Sequence, residues 1–233
     1  MSITKKKISI SAIIAALSFL FLAFYPYFLN PIHNILLGQS FSVIIRIIIN
    51  SIFNFGNIIN FIACIITVVG IFTKFDKIAV AITSALFWFS SLVTLISGII
   101  NSIKFGYFRM NIVQVISLLS NMFIYFLMFA VAAWLTILFF KKKETPKFLK
   151  VLIFVPVAIL AISFLSSFVT NFFASITHLA SGLPLKFLLY SAFSVFSRIF
   201  NSFVLLVGLT AIAVKFANFK KKPKNTVENV TAE

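Results

Sequence analysis

Six long apolar runs, at 8–28, 41–72, 78–100, 112–140, 151–173 and 187–219, alternate with short polar links. Each is near or above the roughly 20 residues a helix needs to cross a bilayer core. The chain therefore reads as an all-α, polytopic membrane protein with six transmembrane helices. Hydrophobic residues make up 61% of it and its mean hydropathy is +1.13, too apolar for a water-soluble domain of this length. Residues 1–224 are expected to form a single transmembrane domain and 225–233 a short polar tail. The first run is expected to be retained, because Tyr25-Pro26-Tyr27 follows it in place of a small-residue cleavage site.

The net charge of +16 would suggest nucleic acid in a soluble protein, but its placement suggests topology. Lys5, Lys6 and Lys7 precede the first run, and Lys74 and Lys77 separate the second from the third. Lys141, Lys142, Lys143, Lys147 and Lys150 separate the fourth from the fifth. Lys215, Lys220, Lys221, Lys222 and Lys224 close the last. The alternate links hold only Lys104, Arg109 and Lys186, and Arg46 and Arg198 lie within apolar runs. Positive residues favour the cytoplasmic side, so both termini are expected to be cytoplasmic and the membrane to be the plasma membrane. The lysines would attract anionic lipid headgroups at about 1 kcal/mol each near the surface; no nucleic-acid partner is expected.

The basic links are short, and the others are longer and carry Pro26, Pro31, Gly38, Gly106, Gly182 and Pro184 as helix breakers. The natural units are then three helical hairpins, at about 8–72, 78–140 and 151–219. Val115, Ser117 and Asn121 repeat the spacing of Val195, Ser197 and Asn201, as three related hairpins would. An alphabet dominated by Phe, Ile, Ser and Val produces the same matches by chance, and both readings stay open.

Polar side chains inside spans are the best functional clue, because lipid gives them nothing to bond. Arg46, Asn50, Asn54 and Asn57 recur at spacings of four, four and three, which on one continuous helix is one face, and Asn60 extends it. Gln114, Ser117 and Asn121 form a second stripe, and Ser194, Arg198 and Asn201 a third. Ser90, Ser91 and Thr94 lie in the third run. In one reading these groups hydrogen-bond across helices and hold the bundle together. In the other they converge on an outward-facing cavity that binds an anionic or amphiphilic ligand, in a transport component or lipid-handling protein. The alternative, from a different class, is an accessory or immunity-type membrane protein acting through helix contacts with a partner.

No carboxylate falls within a run: Asp76, Glu144, Glu228 and Glu233 all lie in links or the tail. Acidic proton relays and acidic cation filters are thereby disfavoured. His33 and His178 without a carboxylate make a poor metal site, and the single Cys64 forms no internal disulfide. No phosphate loop, nucleophile elbow or zinc-protease motif occurs, so neither a cofactor nor enzymatic activity is expected. Ala12 and Ala16, one turn apart after a basic start, are similar to the helix-docking motif in substrate-binding subunits of energy-coupling-factor vitamin transporters. That resemblance covers two residues of one helix. It implies a membrane-protein or ATPase partner docking on the first span.

Overall fold

The structure is a computed structural model that describes residues 9–36, 38–105, 112–141, 146–180 and 185–217. Eight helices follow in order: α1 (Ile10–Leu36), α2 (Phe41–Ile52), α3 (Phe55–Gly70), α4 (Asp76–Phe105), α5 (Ile112–Phe140), α6 (Lys147–Leu152), α7 (Val155–Ala180) and α8 (Leu185–Ala217). Five are long and apolar enough to cross a membrane, with α6 and α7 counted as one, and six if the bent pair α2–α3 is taken as one span. No strand occurs among the described residues. The all-α polytopic class follows from these helices.

Two expectations change. The run at 41–72 is not one helix: α2 and α3 meet at a 58° bend around Phe53 and Asn54. Asn54 has extended backbone, and its side-chain oxygen accepts the backbone N–H of Asn57 at 3.1 Å, capping α3. The Asn57 amide in turn donates to the Ser51 carbonyl at 3.0 Å, tying off the end of α2. An asparagine at helical spacing is also a strong N-cap, and the cap prevailed. Arg46, Asn50, Asn54 and Asn57 thus do not share one helical face.

The second change is in α1, which runs through Pro26 and Pro31 rather than ending before them. A proline removes one intrahelical donor. Membrane helices tolerate that where neighbouring groups or water serve the freed carbonyl.

Six helices pack in a closed circuit: α1 on α3, α3 on α4, α4 on α5, α5 on α7, α7 on α8, and α8 back on α1. Small residues permit the closest approaches. A Cβ on Gly70 would lie 2.1 Å from the Ala79 Cβ, so only glycine fits where α3 meets α4. A Cβ on Gly208 would lie 3.0 Å from the Ser18 Cβ, where α8 meets α1. Ala12, Ala15, Ala16 and Ala23 of α1 are buried in the same core as Ala211 and Ala213 of α8. Ala12 and Ala16 therefore do not face outward as a docking strip; this chain's own helices cover them.

Burial is uneven along the helices. In α4, Asp76, Lys77, Ala79, Val80, Ala81, Thr83, Ser84, Phe87 and Ser90 are buried, whereas beyond Ser90 only Ser102 is, among the described side chains. In α8, the buried residues cluster between Gly208 and Phe216, with Ser197 alone before them among the described side chains. In α7 no described residue past Leu160 is buried. The bundle is tight at the end bearing Lys74, Lys77, Lys141 and Lys215 and splayed at the other.

Candidate functional site

A buried ionic cluster closes the tight end. Asp76, at the start of α4, pairs with Lys215 near the end of α8 at 2.8 Å and with Lys77 at 3.4 Å. Lys215 also donates to the Ile71 carbonyl just past α3. The Lys77 ammonium lies over the rings of Phe139 at 5.1 Å and Phe216 at 5.8 Å. One carboxylate thus gathers the ends of α3, α4, α5 and α8. Removing one partner from a buried pair costs more than the intact pair contributes, so these groups are interdependent. Asp76 was legible as the chain's one aspartate, but sequence position alone placed it in a solvated link.

One turn further in, hydroxyls join α3 to α4. Thr67 donates to Thr83 at 2.7 Å, and Thr83 donates to the Ala63 carbonyl at 2.8 Å. The Tyr25 hydroxyl donates to the Ser197 carbonyl, joining α1 to α8. These are the polar contacts that hold helices together here.

The asparagines behave differently. A cavity of about 320 Å³ lies inside the circuit, lined from α1, α3, α4, α5 and α8. Asn60 enters it from α3, Asn121 from α5 and Asn201 from α8. Ser90, Ser91 and Thr94 line it from α4, Tyr125 from α5, and Leu22, Tyr25 and Pro26 from α1. The Ser91 and Thr94 hydroxyls are satisfied on their own helix, by the carbonyls of Phe87 and Ser90. Among the described residues, no hydrogen-bond partner occurs for the side chains of Asn60, Asn121, Asn201, Ser90 or Tyr125. Pro26 adds another open group, because it lacks the N–H that would bond the carbonyl of Leu22.

Three carboxamides bring two donors and one two-lone-pair acceptor each. Leaving such a group dry and unpaired costs roughly 2–7 kcal/mol. Had these asparagines served as glue between helices, they would bond one another or backbone. A polar cavity of this size accommodates water or a small polar ligand instead. Ser90 and Asn201 each lie fourteen residues along their helix from Asp76 and Lys215, or about 21 Å from the ionic cluster. The cavity therefore sits near mid-helix, where the tight half gives way to the splayed one. Below it, Phe19, Cys64, Phe87, Ile124 and Met128 form part of the buried apolar core.

Of the ten side chains singled out in the sequence, Asn121 and Asn201 line this cavity. Arg46 and Asn50 are exposed on α2, and Asn54 and Asn57 form the cap described above. Arg198 is exposed and donates to Ser194 on its own helix at 3.3 Å, and neither lines the cavity. The side chains of Gln114, Ser117, His33 and His178 lie outside the described residues. Asn60 and Ser90 were visible as polar residues within runs. Tyr125 and Pro26 were missed; a proline within an apolar run was the available signal. Among the described residues no three His, Cys, Asp or Glu side chains come together.

Comparison with known protein families, with curated proteins and with solved structures finds no match.

Proposed function

We propose that this chain is a six-span plasma-membrane protein, arranged as three hairpins with both termini and the lysine-bearing end in the cytoplasm. Its splayed half then faces outward and captures a small, uncharged, hydrogen-bonding or amphiphilic ligand, as the binding component of a transport or lipid-handling system. The observation that carries this reading is the meeting of three unpaired carboxamides, from three helices, around one cavity. The lining amides and hydroxyls have no activating base beside them among the described residues, which supports a binding role. The anionic branch of the sequence expectation gains no support, because no charged side chain lines the cavity among the described residues.

Three measurements test the proposal. Cysteines placed at Gly106 or Gly182 react with an impermeant thiol reagent in intact cells, and those at Thr145 or Val227 do not; the reverse pattern overturns the orientation. Ser90→Cys, with Cys64→Ala to remove the native thiol, reacts from the same side. An inert Ser90→Cys favours the alternative role in helix contacts. Purified protein in nanodiscs is then screened by thermal shift against neutral polyols, nucleosides and lysolipids. A stabilising compound is expected whose effect vanishes in Asn121→Leu and Asn201→Leu; a shift that survives both places its site elsewhere.

A further inference from the structure

Helix α2 is too short to cross a membrane. Its 12 residues span about 18 Å, against a hydrocarbon core of roughly 30 Å. Its direction differs by 58° from that of α3. Both ends are built stops: Gly38 precedes it with φ 68°, a left-handed conformation suited to glycine, and the Asn54 cap follows it.

Around its axis α2 divides into three sectors. Ile44, Ile47 and Ser51 form the recessed one, consistent with its packing on α1. Phe41, Ile45, Ile48 and Ile52 recur at spacings of four, three and four and are exposed. Ser42, Arg46 and Asn50 recur every four residues and are exposed too. At 100° per residue the exposed apolar and polar sectors are centred about 130° apart, and Val43 and Ile49, also exposed, flank the polar one on either side. A helix crossing the acyl core has no use for an exposed polar stripe centred on a guanidinium. A helix lying at the interface requires both sectors.

We propose that α2 is an interfacial helix lying in the headgroup layer at the splayed end. Its isoleucine and phenylalanine sector enters the acyl region, and its Ser42–Arg46–Asn50 sector meets the lipid headgroups, with the Arg46 guanidinium on phosphate. Arginine matches that partner, since its planar fork bonds phosphate in two places. Phe53 and Phe55, both exposed at the bend, continue the apolar contact where α3 turns into the membrane. The 16 residues of α3 rise about 24 Å and make the second span alone, with local thinning of the bilayer meeting the shortfall. This assignment does not depend on the cavity binding anything.

Spin labels on the full-length protein in phosphatidylcholine–phosphatidylglycerol liposomes test it, placed singly at Ile45→Cys, Ile48→Cys, Ser42→Cys and Asn50→Cys. Cys64 is replaced by alanine. If that variant does not fold, the buried Cys64 is kept after confirming that it takes no label. The ratio of collision with oxygen to collision with an aqueous nickel complex is expected to be several-fold higher at Ile45 and Ile48 than at Ser42 and Asn50. Equal, oxygen-dominated ratios in both sectors would mean that α2 is submerged in the core. Equal, nickel-dominated ratios would mean that it stands in water. Protection from both reagents would mean that another helix covers it. Each of these three results overturns the proposal.

Discussion

The two ends of this bundle are made from the same helices and obey opposite rules. At the lysine-bearing end the charged groups and threonines are paired, Asp76 with Lys215 and Lys77, and Thr67 with Thr83, while Ser18 and Ser84 are buried with no partner among the described residues. Glycine and alanine bring the backbones together there, as at Gly70 and Ala79. At the splayed end polar groups are more numerous, and those facing the cavity from Asn60, Asn121 and Asn201 show no partner among the described residues. Interior polarity in lipid is either spent on structure or held open for something else. Here the ionic cluster and the cavity asparagines are separated by about 21 Å of helix, and the Tyr25 hydroxyl at the cavity is the structural exception, bonded to the Ser197 carbonyl.

The contrast can be broken most forcefully at the tight end. Asp76→Asn leaves two lysines in a site built around one carboxylate, and the expected loss is about 3 kcal/mol of stability. It should appear as a large drop in melting temperature in nanodiscs. An unchanged melting temperature would show that the cluster is a surface pair. Gly70→Ala forces α3 away from α4 and is expected to cost about 2 kcal/mol. Gly56→Ala, nearer the cavity, meets only the Asn54 side-chain oxygen at 3.2 Å and the Ser90 hydroxyl at 3.8 Å. It is expected to be nearly neutral, so equal losses at Gly56 and Gly70 would erase the difference between the two halves.

Smaller effects sharpen the same comparison. Thr83→Val removes the hydroxyl that links Thr67 to the Ala63 carbonyl and is expected to cost about 1 kcal/mol. Asn121→Leu is expected to leave stability within about 0.5 kcal/mol of the parent, because it removes an amide without orphaning a protein partner. Chemical denaturation of the pair separates these outcomes; a larger loss for Asn121→Leu would reassign that asparagine to structure. Arg198→Lys should be the mildest, since the guanidinium is exposed and reaches only its own helix.

Much of the fold was legible because hydropathy over twenty residues is a coarse, robust signal. The runs at 78–100, 112–140 and 187–219 became α4, α5 and α8 with modest shifts at their ends. The failures came where one residue type serves two purposes. Asn54 continued a helical spacing and also capped a helix, and spacing cannot rank the two. Pro26 and Pro31 looked like the end of the first span. They are interior to α1, and Pro26 lines the cavity, where a carbonyl without its intrahelical donor is tolerable. The site was half legible: Asn121 and Asn201 came from helical stripes, and Asn60 from the extension of one. Tyr125 carried no pattern, because one aromatic among so many marks nothing until neighbouring helices are placed around it.

The aspartate clamp has a further meaning for how such a protein can change. The ionic contacts of Asp76, Lys77 and Lys215 sit at the lysine-bearing end, and none of the three lines the cavity. Substitutions at Asn60, Asn121 or Asn201, which are only partly buried and orphan no partner among the described residues, can therefore be explored at little expected cost to folding. A lineage built this way can exchange one ligand for another by drift in the open half while selection holds the closed half fixed. A protein engineer can follow the same route, by randomising these three positions first.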